Sequence, residues 1–215
     1  MDERAQVLAA VADAVLGLPA HGVRRVGVDG VDGAGKTVFG DELAAVLEGR
    51  GATVIRSSVD GFHHPREVRH RRGRSSPEGF FRDSYDYARM REVLLDPLGP
   101  GGSRRFRTAV HDVGAEAPVD APEALAHAGD VLVVDGIFLH RPELRGVWDY
   151  SVFLHVDFAV SIPRGAGRDG TSPDPQAPSN RRYVEGQRLY LAECAPQRHA
   201  SVVIDNTDLD RPFLR

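Results

Sequence analysis

The chain has 215 residues, 41% of them hydrophobic and 27% charged, which places it among ordinary globular proteins rather than disordered, collagenous or coiled-coil chains. That length fits one α/β domain with a real hydrophobic core and is too short for two full domains with separate chemistries. A formal net charge of −4 offers no general field for nucleic acid or an anionic membrane, so any polyanion must be held locally. The single cysteine, Cys194, excludes an intramolecular disulfide or a cysteine-rich zinc site.

The amino terminus, Met1-Asp2-Glu3-Arg4, is acidic where an export signal would be basic, and no window approaches the roughly 20 apolar residues of a membrane helix. A cytoplasmic protein with a small-molecule partner is expected, without nucleic acid or membrane, and a homo-oligomer is left open. Of the 27 basic residues Lys36 is the only lysine, and the other 26 are arginines.

Val7, Leu8, Val11, Val15 and Leu16 recur at helical spacing and predict an amphipathic helix over 3–17. Residues 25–29 form a β-branched run ending at glycine, the signature of a buried parallel strand. A helical pattern over 36–50 stops at Gly49 and Gly51, and 52–56 gives a second strand, completing a βαβ unit. Residues 61–82, rich in Gly, Pro, His and Arg, read as a long functional surface loop. A helix over 84–95 and another Gly/Pro-rich stretch over 97–122 follow. Strands are expected at 131–135, 152–155 and 201–205, a lid at 163–180 and a helix over 181–193. Five short apolar strands among helices and loops imply a single domain, 1–215, with a mostly parallel sheet between helical layers and ligands at the carboxyl ends of its strands.

The sharpest motif is Gly30-Val-Asp-Gly-Ala-Gly-Lys-Thr37, which satisfies G-x-x-x-x-G-K-[ST] between a strand and a helix. Its glycines let backbone N–H groups turn around a phosphate, and the helix amino terminus adds positive potential. The loop residues Gly30, Asp32, Gly33, Ala34, Gly35, Lys36 and Thr37 are the expected ATP-binding set. In it Lys36 reaches the β and γ phosphates and Thr37 coordinates Mg²⁺. A GTPase with an N-K-x-D guanine reader is disfavoured, because that sequence needs a second lysine.

Asp60, in Ser58-Val-Asp-Gly-Phe-His-His-Pro-Arg66, ends the second strand beside this loop, where a carboxylate would orient an acceptor hydroxyl and take its proton; an Asp-Gly turn is the alternative. Asp135 ends a hydrophobic strand in Val131-Leu-Val-Val-Asp-Gly-Ile-Phe138, as a Mg²⁺ carboxylate should. Asp83 and Asp86, three residues apart, also suit a helix-capping arrangement. The arginines at 66, 69, 71, 72 and 74 lack interleaved aromatics and read as an acceptor-side loop rather than an RNA site.

From the loop, Asp60 and the downstream segments, the sequence resembles the superfamily of uridine kinase, pantothenate kinase and phosphoribulokinase over residues 23–206, most closely the bacterial uridine kinases. The resemblance implies a P-loop three-layer sandwich with a lid and an ATP- and Mg²⁺-dependent transfer to a primary hydroxyl. The 5′-hydroxyl of uridine or cytidine comes first; pantothenate or a sugar-like alcohol, or a nucleotide-binding regulatory module without catalysis, is the alternative. It implies that Asp60 is the catalytic base, that Asp83 or Asp86 in Phe80-Phe-Arg-Asp-Ser-Tyr-Asp-Tyr87 holds ribose hydroxyls, and that Phe106 and His111 contact a nucleobase, with Phe where Tyr is usual. Aspartate stands at 135 where uridine kinases carry glutamate. In the lid region it points to Arg164 for the nucleotide, Arg168 for catalysis, and Arg181 and Gln187 for substrate.

Overall fold

The computed structural model describes residues 2–215, the side chains of Arg168 and Asp169 excepted. Helix α1 (Glu3–Leu16) begins at Asp2, whose carboxylate accepts from the Ala5 N–H, and it buries Val7, Leu8, Val11, Ala12 and Val15. Strand β1 (Arg24–Gly30) leads through the glycine loop into α2 (Lys36–Gly49), and β2 (Val54–Ser58) follows. A 3₁₀ turn at Val59–Phe62 comes next, then α3 (Arg66–Arg69), α4 (Pro77–Asp83) and α5 (Tyr87–Met90), the last continuing into a π turn at Arg91–Leu95.

The expected loop over 61–82 thus carries two short helices, α3 and α4, between turns, and the expected helix over 84–95 begins only at Tyr87. Ser76 caps α4 by accepting from Gly79 N–H, Pro77 sits at the first turn, and Asp86 caps α5 by accepting from Arg89 N–H. The segments are too short for helical periodicity to show in the sequence.

Two small antiparallel pairs fill the next Gly/Pro-rich stretch: β3 (Arg105–Phe106) and β4 (His111–Asp112) pair with β6 (Ala124–Leu125) and β5 (Ala117–Pro118) respectively. The chain then runs through β7 (Val131–Gly136), β8 (Tyr150–His155), α6 (Phe158–Asp169), α7 (Arg181–Cys194), α8 (Pro196–His199), β9 (Val202–Asp205) and β10 (Phe213–Leu214). The first part of the expected lid is thus the end of α6. The sheet order is β10-β9-β8-β1-β7-β2; five strands are parallel, and the short edge strand β10, which the sequence did not announce, is antiparallel.

Side chains alternate across this sheet. Val131 and Val133 join Val26, Val28, Val152 and Leu154 under α1 and α2, whereas Leu132 and Val134 face a second core containing Phe62, Phe80, Phe81, Phe138 and Tyr190. Gly27 is required on that second face, because an added Cβ would lie 2.9 Å from the Trp148 ring. Phe138 adopts a left-handed φ of 66° yet is fully buried, held by edge-on contacts with Phe80, Phe81, Tyr85 and Tyr190.

The same face buries a polar network. The Asp29 carboxylate, wholly inaccessible, accepts from Gly30 N–H at 2.7 Å, His140 Nδ1–H at 2.7 Å and the Tyr190 hydroxyl. His140 Nε2 lies 3.0 Å from Ser151 Oγ, and His140 N–H donates to the Tyr190 oxygen. Removing one member of such a network leaves its partners buried without bonds. Asp29→Ala is expected to cost about 3 kcal/mol of unfolding free energy, which lowers Tm by roughly 6–12 °C in a chain of this size. Thermal unfolding with the nucleotide absent checks this, and an unchanged Tm contradicts it.

Candidate active site

Hydrogen-bond register levels the carboxyl ends of three strands. Val28 pairs with Asp135 and Asp29 with Gly136 across β1 and β7, while Ser58 on β2 also pairs with Asp135. The glycine loop, Asp135 and Asp60 therefore meet at one edge. They line a cavity of about 130 Å³ together with Lys36, Thr37 and Tyr85.

Within it Thr37 Oγ1 donates to Asp135 Oδ2 at 2.8 Å, so two hard oxygen donors stand side by side, a set that suits Mg²⁺. The other Asp135 oxygen accepts from Arg56 at 2.9 Å, and the same guanidinium binds Asp41 and the Val133 carbonyl. Arg56 thereby fixes the orientation of a carboxylate that is almost entirely buried. Lys36 Nζ donates to the Val31 carbonyl at 2.9 Å, folded back over its own loop.

Gly33 and Gly35 have φ of 73° and 86°, and a Cβ on Gly33 would collide with the Ser161 carbonyl of α6. The loop is braced from outside. Gln187 on α7, nearly inaccessible, accepts from Asp32 N–H at 2.6 Å and donates to the Asp32 carboxylate at 3.1 Å; Asn206 after β9 donates to the Ala34 carbonyl at 2.7 Å. Gln187 thus reaches the nucleotide loop. Arg164 donates to the Asn206 and Thr207 carbonyls, supporting the same brace.

Asp60 is exposed, and its Oδ1 accepts from the Tyr85 hydroxyl at 3.1 Å. Burial and then the nearby Asp60 and Asp32 carboxylates push the Tyr85 phenol far above its ordinary range, so it remains a donor to Asp60. Beyond Tyr85 a chamber of about 340 Å³ opens between Phe80, Ile137, Ile162, Tyr183 and the segment containing Thr171 and Asn180. Ser161, which also lines it, has a buried hydroxyl without a hydrogen-bond partner among the described residues. A third cavity, about 230 Å³, adjoins at Phe80 and Tyr183 and is lined by His63, Arg69, His70, Arg74, Ser84 and Arg182.

Several expected substrate residues stand elsewhere. Phe106 is packed in the second core, and neither it nor His111 lines any of these three cavities. His111 is buried with its Nε2 3.7 Å from Glu116. Asp83 points into the protein, bound by Arg71 and Arg72, and Asp86 is a cap with its second oxygen 3.8 Å from His64. Arg181 is exposed, whereas its neighbour Arg182 is buried and lies against the third cavity. The side chain of Arg168 lies outside what the structure describes. Tyr85 and Arg56 were missed. Tyr85 had a signal in its place between the two aspartates of the 80–87 segment, but Arg56 had none among 26 arginines.

No protein-family model matches this chain, and no curated protein matches it. Solved structures do. A "possible uridine kinase" from Bacillus stearothermophilus superposes with a TM-score of 0.72 at 19% identity, covering 92% of this chain and 97% of that one. A "putative fructose transport system kinase" from Silicibacter sp. TM1040 gives 0.68 at 23%, covering 86% and 94%. Phosphoribulokinase from Rhodobacter spheroides gives 0.56 at 13%, covering 87% and 71%. The chain has the fold of the P-loop kinases.

Asp83 supplies a test in acid. Burial opposes its charge, but the Arg71 and Arg72 guanidiniums outweigh burial and hold it below the usual carboxylate range. A carboxylate with a lowered folded pKa stabilises fully above its unfolded value, about 3.9, and loses that contribution as pH falls through the folded value. Wild type should therefore exceed Asp83→Asn in urea midpoint at pH 7, and the gap should close below about pH 4; a gap constant with pH contradicts the assignment.

Proposed function

We propose that the chain is an ATP- and Mg²⁺-dependent kinase that transfers the γ-phosphoryl group to a hydroxyl of a small-molecule alcohol. The observation that carries this reading is the convergence of Lys36, Thr37, Asp135 and Asp60 on one cavity. The loop N–H groups and Lys36 bind the phosphates, Lys36 exchanging its Val31 carbonyl for them. Thr37 and Asp135 would hold Mg²⁺, which would supply charge neutralisation of the phosphate oxygens. Asp60, oriented by Tyr85, accepts the proton of the acceptor hydroxyl as its oxygen bonds to the γ phosphorus and the bond to ADP breaks. The residues between 161 and 183 that line the adjoining chamber keep water from competing with the acceptor.

The uridine or cytidine reading rested on Phe106 and His111 as a nucleobase pair. With Phe106 in the core, the cavities beyond Asp60 favour the alternative, a sugar-like alcohol. Solved neighbours named for fructose transport and D-glycerate fit that choice.

Lys36→Ala is expected to leave the fold intact and abolish transfer, because its only described bond is to a loop carbonyl. Asp60→Asn should retain ATP binding and lose about 10²–10⁴-fold in kcat, the usual worth of a general base. Calorimetry of ATP binding beside a coupled assay for ADP release with an alcohol panel separates the outcomes. ATP binding without turnover of any alcohol by wild type would favour a regulatory nucleotide-binding module, and full turnover by Asp60→Asn would remove Asp60 as the base.

A further inference from the structure

The three cavities form a row. The phosphate cavity shares Asp32, Gly33, Tyr85 and Ile137 with the chamber, and the chamber shares Phe80 and Tyr183 with the third cavity. His63 links the ends, since its ring lies 4.5 Å from that of Tyr85 and its Nδ1 lies 2.9 Å from the Asp60 carbonyl. A molecule presenting a hydroxyl to Asp60 and extending along this row ends in the third cavity.

That cavity is basic. Arg69, Arg74 and Arg182 line it with two histidines, and no carboxylate is among its lining residues. The neighbouring acids are already engaged: Glu116 binds Arg69 and Arg66, and Asp83 binds Arg71 and Arg72. Arg182 is buried, donates to the carbonyls of Arg74 and Arg69, and stacks over Phe80, so its charge is fixed in place without a carboxylate partner among the described residues. Arg74 is exposed, and no hydrogen bond or ion pair holds its side chain among the described residues. His70 sits in the field of this cluster: burial and then Arg182, Arg69, Arg74 and Arg66 lower its pKa. Arg69 is neutralised by Glu116, but Arg74 and Arg182 have no carboxylate partner among the described residues, and two such guanidiniums gathered at a cavity form a receptor for an oxyanion.

We propose that the acceptor alcohol carries an anionic group, a phosphate monoester or a carboxylate, seated among Arg69, Arg74 and Arg182 while its hydroxyl reaches Asp60. This rests on the kinase reading and narrows its substrate to an anionic sugar-like alcohol. Recognition is divided: Arg182 and Arg69 are held by the backbone and by Glu116, and Arg74 closes on the anion from solvent.

The test begins with ADP and Mg²⁺ binding to the full chain, whose failure would count against the kinase reading alone. With the nucleotide site saturated, inorganic phosphate is titrated into wild type, Arg74→Gln and Arg74→Glu. Phosphate should bind wild type and weaken about ten- to a hundredfold in the variants, the range of a lost charge-assisted bond. Kinetics then compare neutral alcohols (uridine, fructose), carboxylates (D-glycerate, pantothenate) and pentose or hexose monophosphates. The proposal expects turnover of an anionic set, with KM for the acceptor raised by a similar factor in Arg74→Gln, kcat changed less, and KM for ATP unmoved; whichever anionic set turns over identifies the headgroup. Neutral alcohols turning over best and indifferent to Arg74→Glu would overturn it. So would the absence of phosphate binding to folded wild type saturated with ADP. If no alcohol in the panel turns over, phosphate binding and its loss in Arg74→Glu decide the question.

Discussion

The parallel register of β1, β7 and β2 is the constraint from which the site follows. Because Val28, Asp135 and Ser58 lie level, the glycine loop begins two residues past one strand position, and Asp60 follows the end of another by two. A slip of one residue in either ladder would turn Asp135 to the opposite face of the sheet and part it from Thr37. The register is held by the two cores, since each strand residue is committed to one face. Asp29 adds a polar lock at the point where β1 becomes the loop, with its carboxylate on the Gly30 N–H.

The glycine loop is accordingly not a free loop. It is tied at Gly30 to its neighbour Asp29 in the buried network, and at Asp32 to Gln187 and at Ala34 to Asn206, the last two remote in sequence. Such bracing holds the backbone N–H groups in place before a phosphate arrives, and preorganised donors are what a charge-developing reaction needs. Arg56 does the same for Asp135, sparing one carboxylate oxygen for Thr37.

The features legible in the sequence were those whose chemistry is local. The glycine loop, Lys36 and Thr37 form a contiguous pattern, and Asp60 and Asp135 stand at strand ends that β-branched runs announce. The five parallel strands could be read from the same runs. The edge strand β10 has only two residues, too few for a periodic signal. Gln187, Arg182, Asn206 and Tyr190 act across intervals that only the folded topology closes. The resemblance carried Phe106 and Asp83 to a substrate site, but burial decided their places: a phenylalanine without its polar tip joined the core, and an aspartate beside a run of arginines was drawn into paired guanidiniums.

The walls of the basic cavity come from α3, α4 and the connections around them and from the start of α7, all outside the central sheet. The nucleotide loop and Asp135 draw their positions from the sheet itself. On the proposed reading, acceptor preference and nucleotide handling occupy separable parts of one chain: His63, Arg69, His70 and Arg74 can change without disturbing the strands, whereas Phe80 and Phe81 are packed in the second core. A scaffold divided in this way diversifies by exchanging its acceptor wall, so two chains with the same phosphate loop need share no substrate.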